Sequence, residues 1–75
     1  MANQRRQFAV CVRNDGYEAS LELRKIYEVL PDGAATRHQQ IRVIDESGED
    51  YLFSASWFAP IELPAPVRRA VLAAV

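Results

Sequence analysis

The segment IRVIDESGEDYLFS, residues 41–54, holds two β-rich runs, IRVIDE and EDYLFS, on either side of Ser47-Gly48. Isoleucine, valine, tyrosine and phenylalanine favour strands, and Ser-Gly suits a tight reversal in which glycine supplies a positive φ. A two-residue turn centred on Ser47-Gly48 would pair Glu46 with Glu49, Asp45 with Asp50, Ile44 with Tyr51, Val43 with Leu52 and Arg42 with Phe53. Alternation then places Ile41, Val43 and Leu52 on one face and Arg42, Ile44, Tyr51 and Phe53 on the other. In that register Arg42 stands over Phe53, a cation–π contact worth about 0.5–1 kcal/mol.

The same segment gathers four carboxylates, Asp45, Glu46, Glu49 and Asp50, around one turn. Calcium asks for about six or more converging oxygens, whereas side chains on a hairpin alternate between faces, so no metal site is expected. Facing carboxylates cost about 0.2–1 kcal/mol per pair, an amount that water screens, and charge at a hairpin tip discourages edge-to-edge aggregation. A solvated tip is the first reading, and attraction of a basic partner is the second.

A chain of 75 residues makes one domain with a small core. Its formal net charge of −1 gives no overall bias toward nucleic acid or membrane, but the charge is uneven. Seven Lys/Arg face five Asp/Glu up to Arg42, residues 43–66 carry five acids and no base, and Arg68 and Arg69 follow. Cys11 is the sole cysteine, so no internal disulfide forms and a reducing, cytoplasmic setting is expected. No apolar run approaches the ~20 residues of a membrane span, and MANQRRQ lacks the apolar stretch of a secretory signal.

Outside the hairpin, residues 1–6 are expected to fray. QFAVCV (7–12) reads as a strand with Phe8, Val10 and Val12 on one face and Ala9 and Cys11 on the other. Asn14-Asp15-Gly16 is a turn signal, and residues 17–24 form a long excursion with room for one helical turn. A second strand covers 25–30, ended by Pro31-Asp32-Gly33; Asp32 or Thr36 suits the cap of a short helical turn. SASWFAPIEL (54–63) reads as a turn followed by a strand that Pro60 assigns to a sheet edge. Pro66 opens a helix over 66–75, with Val67, Val71, Ala74 and Val75 on one side and Arg68 and Arg69 directed elsewhere. That helix is expected to cover Ile44, Tyr51 and Phe53. The sum is an all-β fold: a small five-stranded SH3-like barrel with a short C-terminal helix.

LRKIYEVLPD followed by IRVIDESGEDYLFSASWFAPIELP resembles short bacterial proteins of unknown function with an SH3-like barrel. The resemblance runs from about Val10 to Pro64 and is most specific at 41–52. Two positions depart from it. Arg24 stands where such barrels often have Gly before the second strand, and Gln39-Gln40 stands where a Gly usually opens the third. The resemblance brings no active site or ligand.

Catalysis is not expected. Cys11 and His38 are the only nucleophile–base pair, they lie in different segments, and a cysteine in an apolar strand behaves as a small hydrophobe. No cofactor is implied. Of the aromatic residues, Tyr27 and Phe58 are assigned to the core and Trp57 to a half-exposed anchor beside a turn. The expectation is a cytoplasmic module for protein–protein interaction or self-association, with an unknown, basic protein or peptide, or a second copy, as partner. Its candidate contact residues are Asp45, Glu46, Glu49, Asp50, Tyr51, Phe53 and Trp57. The alternative is a nucleic-acid-binding regulator using Arg5, Arg6, Arg13, Arg24, Lys25, Arg68 and Arg69. Their dispersion and the acidic hairpin between them argue against that use.

Overall fold

The structure, a computed structural model, describes residues 7–73; the expected fraying of 1–6 and the expected continuation of a C-terminal helix over 74–75 lie outside the described residues. Five antiparallel strands, β1 (Gln7–Cys11), β2 (Ile26–Leu30), β3 (Gln40–Ile44), β4 (Asp50–Ser54) and β5 (Phe58–Ile61), form one sheet in the order β4-β3-β2-β1-β5. A short helix α1 (Gly33–Arg37) joins β2 to β3, a single 3-10 turn (Ala55–Trp57) joins β4 to β5, and α2 (Ala65–Ala73) follows. The all-β architecture with a short C-terminal helix is the one expected from the sequence.

β4 and β5 are the two edges of the sheet. In a flat five-stranded sheet they would lie about 19 Å apart at ~4.8 Å per strand. Phe53 of β4 and Phe58 of β5 instead bring their ring centroids within 6.0 Å. The sheet therefore curls until its edges approach, without a ladder between them. The concave face holds Ala9, Cys11, Tyr27, Val29, Val43, Phe53 and Phe58, and the loop between β1 and β2 contributes Leu21 as a plug. Tyr27 and Phe58 are core residues as expected, with their rings edge to face at 6.3 Å.

Leu21 reaches the core because its loop makes one helical turn, in which the N–H groups of Ser20 and Leu21 both donate to the Tyr17 carbonyl. Gly16, at φ +80°, closes the preceding turn, where Tyr17 N–H donates to Asn14. Asp32 caps α1, accepting from Ala35 N–H at 3.0 Å.

The hairpin register differs from the expected one by a single residue. Ile41 pairs with Phe53, Arg42 with Leu52, Val43 with Tyr51 and Ile44 with Asp50. The loop has three residues, Glu46, Ser47 and Gly48, because Gly48 N–H donates to the Asp45 carbonyl while Asp45 N–H receives Glu49 as its acceptor, both at 3.0 Å. Two residues on one strand thus oppose one on the other, a bulge whose first residue, Gly48, sits at φ +86°. A one-residue slip exchanges faces. Phe53 accordingly joins Val43 in the core, and Leu52 moves outward beside Arg42. Arg42 does not meet Phe53; its guanidinium bridges Asp32 and Asp50, each at 2.8 Å.

The same bulge recurs before β2. Arg24 N–H donates to the Cys11 carbonyl and Cys11 N–H to the Lys25 carbonyl, so Arg24 and Lys25 together oppose Cys11. Arg24, the first residue of that bulge, has φ +67°, and Gln39, just after α1, has φ +56°. These are the two positions where the sequence departs from an expected glycine.

Helix α2 does not cover the hairpin. It lies against the outer face of β1, where the Arg68 guanidinium sits 5.3 Å from the centroid of the buried Phe8 ring. Arg68, which the helical pattern directs away from the barrel, and Val71, one turn further on, are the half-buried residues of α2 among those described, whereas Val67 stays 44% exposed. A guanidinium can lie on an aromatic ring while keeping water on its other side, which lets Arg68 share the covered side of α2 with Val71.

Backbone strain sets two opposite expectations for thermal denaturation. Gly48→Val lowers stability by about 1–2 kcal/mol, since a β-branched residue resists positive φ. Arg24→Gly and Gln39→Gly each raise it by about 0.5–1 kcal/mol, the relieved left-handed cost exceeding the added unfolded-state freedom. An unchanged melting temperature in all three would contradict these turn assignments.

Candidate functional site

The four hairpin carboxylates are divided among four separate contacts. Asp45, nearly buried, accepts from the N–H of Ser47 at 2.8 Å and from its hydroxyl at 2.6 Å, fixing the first bend of the loop. Asp50 accepts from Arg42. Glu49 accepts from the Tyr51 hydroxyl at 3.0 Å. Glu46 has the widest reach: its N–H donates to the Ser20 carbonyl at 3.0 Å, and its carboxylate accepts from the Lys25 ammonium and the Tyr27 hydroxyl, both at 2.5 Å. Tyr27 Oη in turn accepts from Glu22 N–H at 2.7 Å. One residue of the hairpin tip thereby fastens the second half of the β1–β2 loop, at Ser20 and Lys25, to Tyr27 of β2.

Charge follows this geometry. The Lys25 ammonium, and then the Tyr27 hydroxyl, hold the Glu46 carboxyl below its ordinary range, while Glu46 raises Lys25. Burial first and Glu46 second push the Tyr27 phenol up. At Asp32 the Ala35 N–H and then Arg42 lower the carboxyl.

With the loop fastened, Tyr17 stands beside Trp57 and Phe53. Its ring lies 5.6 Å from each, edge to face against Phe53, and Trp57 stacks on Phe53 at 6.4 Å. Phe53 is buried, Trp57 half-buried and Tyr17 50% exposed, so the three rings rise from core to solvent. Trp57 is the half-exposed aromatic that its position beside a turn implied, and Phe53 is the buried floor beneath it. Tyr51 is 48% exposed on β4. Tyr17, which reading the sequence left without a role, completes the cluster; the Asn14-Gly16 turn preceding it was the available signal. The β1–β2 loop around it carries Asp15, Glu18 and Glu22 beside Arg13, Arg24 and Lys25; Arg13 pairs with Asp15 at 2.8 Å, and Glu18 and Glu22 are exposed.

Elsewhere, Cys11 is fully buried in the core while His38 is exposed at the end of α1. A cleft of about 430 Å³ lies between β1, β5 and α2, with Phe8, Pro60 and Arg68 in its wall and none of the candidate partner-contact residues. No helix among the described residues is long and apolar enough to cross a membrane. No family model matches the chain, and neither a curated protein nor a solved structure matches it.

A carboxylate whose folded-state pKa is depressed stabilises the fold above the ordinary carboxylate range and loses that contribution as pH falls. Stability should therefore decline from about pH 4–5 downward, with Glu46 and Asp32 contributing. Glu46→Gln, which keeps the shape but not the charge, should melt lower than wild type at pH 7, and the gap should close as the pH falls through the depressed Glu46 pKa. A gap that stays constant over that titration would count against the ion pair.

Proposed function

We propose that the chain is a small, non-catalytic protein-binding module that takes an extended peptide bearing a basic residue across the Tyr17–Trp57 surface. The observation that carries this reading is the exposed Tyr17 ring set against Trp57 above a buried Phe53. Tyrosine and tryptophan offer large contact area with few rotors to immobilise, and each keeps a polar handle for a peptide backbone. The exposed Glu18 and Glu22 of the same loop supply complementarity to Lys or Arg. They also disfavour phosphate, which ranks the nucleic-acid alternative second. Two features support a non-catalytic role: Cys11 is enclosed in the core, and no base accompanies it there. The single free thiol supports a reducing, cytoplasmic setting. Kinship with short bacterial SH3-like proteins belongs to the same proposal, supported by left-handed Arg24 and Gln39 standing where a glycine is expected.

A displayed random-peptide library selected on the protein should yield extended sequences containing Lys or Arg. Bound peptides should perturb the fluorescence of Trp57, the only tryptophan. By anisotropy of a labelled peptide, Trp57→Ala and Tyr17→Ala should each weaken binding at least about tenfold, the loss of a ~1.4 kcal/mol aromatic contact. Undiminished binding by both variants overturns the assigned surface. Tight, steeply salt-dependent binding of single-stranded RNA at ~150 mM salt would favour the nucleic-acid reading instead.

A further inference from the structure

The two edges of the sheet are not alike. In β3–β4, the hydrogen bonds Asp45 N–H to Glu49 and Ala55 N–H to Gln39 mark the two ends of one ladder. Bonded pairs alternate along an antiparallel ladder, so Glu49, Tyr51, Phe53 and Ala55 turn their main chain toward β3. Asp50, Leu52 and Ser54 turn theirs toward the free edge. In β1–β5, Val12 N–H donates to the Trp57 carbonyl, which by the same alternation directs the Pro60 nitrogen outward. Proline has no N–H, so β5 is blunted in its middle. β4 carries no proline, lysine or bulge within Asp50–Ser54, and both Tyr51 and Leu52 on it are exposed.

We propose that β4 pairs with β4 of a second copy of this chain, antiparallel, about a two-fold axis through Leu52. That register sets Leu52 against its own counterpart, Asp50 against Ser54, and Tyr51 against Phe53. The outward-facing residues Asp50, Leu52 and Ser54 all fall on bonded pairs, giving about six main-chain hydrogen bonds across the axis. Charge selects this arrangement. Each acidic end, Glu49-Asp50, runs beside the neutral end of its counterpart, so a carboxylate meets a serine hydroxyl. Parallel pairing would place Asp50 on Asp50. Arg42 already balances Asp50 within its own chain at 2.8 Å, which lowers the cost of bringing a second strand alongside. The exposed Leu52 side chains meet at the axis, the centre of a self-complementary interface.

Sedimentation equilibrium of the full chain from about 1 μM to about 500 μM, the range of weak and small interfaces, reads the proposal directly. A reversible monomer–dimer equilibrium is expected. Ser54→Pro is the decisive variant. Ser54 has φ −65° and ψ 131°, values proline adopts, and its N–H faces outward, so the fold is kept while two of the inter-copy bonds are lost. It should weaken dimerisation at least about tenfold, as should Leu52→Lys, which decides the matter if Ser54→Pro unfolds by circular dichroism. Val67→Lys on α2 should leave the dimer unchanged. A monomer throughout the range overturns the proposal, and so does a dimer that Ser54→Pro and Leu52→Lys leave intact.

Discussion

The contact between Phe53 and Phe58 is the constraint on which the rest of the molecule depends. These rings stand on strands at opposite edges of a five-stranded sheet, and their 6.0 Å separation requires the sheet to curl. Curling gives a chain of this size a core: one concave face can be filled by eight side chains, one of them supplied by a loop. It also brings the 3-10 turn after β4 close to the β1–β2 loop, so that Trp57 and Tyr17 meet. A flat sheet of the same strands would hold Phe53 and Phe58 about 19 Å apart, beyond ring contact.

The acidic hairpin is best understood as four local fastenings. Like charges tolerate one another there because each has its own donor: Ser47 for Asp45, Lys25 and Tyr27 for Glu46, Tyr51 for Glu49, Arg42 for Asp50. Exposed ion pairs contribute about 0.2–1 kcal/mol apiece, so no single one holds the fold. Glu46 differs in what it connects. It joins the hairpin tip to a loop more than twenty residues earlier and shares the Tyr27 hydroxyl with the Glu22 N–H. Tyr17 owes its place in part to that knot.

The five strand segments, the Asn14-Gly16 turn, the Asp32 cap, the edge position of β5 and the burial of Tyr27 and Phe58 were legible in the sequence, because each rests on a local preference that tertiary packing reinforced. The hairpin register was not. A glycine with positive φ serves the second position of a two-residue turn and the bulge of a three-residue loop equally well. What distinguishes them is which face Phe53 must occupy, a fact that belongs to the core rather than to Ser47-Gly48. The position of α2 was hidden for a related reason. Helical spacing marked its valines as the buried stripe, whereas Phe8 needed a cover that a guanidinium could provide. Tyr17 has no local signal of its role because its partners, Phe53 and Trp57, are remote in sequence. Arg24 and Gln39, noted as missing glycines, prove to be residues that tolerate a glycine's conformation.

Pro60 has a further consequence for the size of any assembly. Strand addition is a polymerisation chemistry: a subunit with two open edges has a valence of two and can grow without limit, as amyloid does. With one edge lacking a donor at its centre, this subunit would enter the proposed pairing with a valence of one. Pairing through the other edge consumes the only growing end, so each encounter is a termination step. A single imino acid on β5 thus acts as a chain stopper for a fold whose exposed β4 would otherwise invite fibrils.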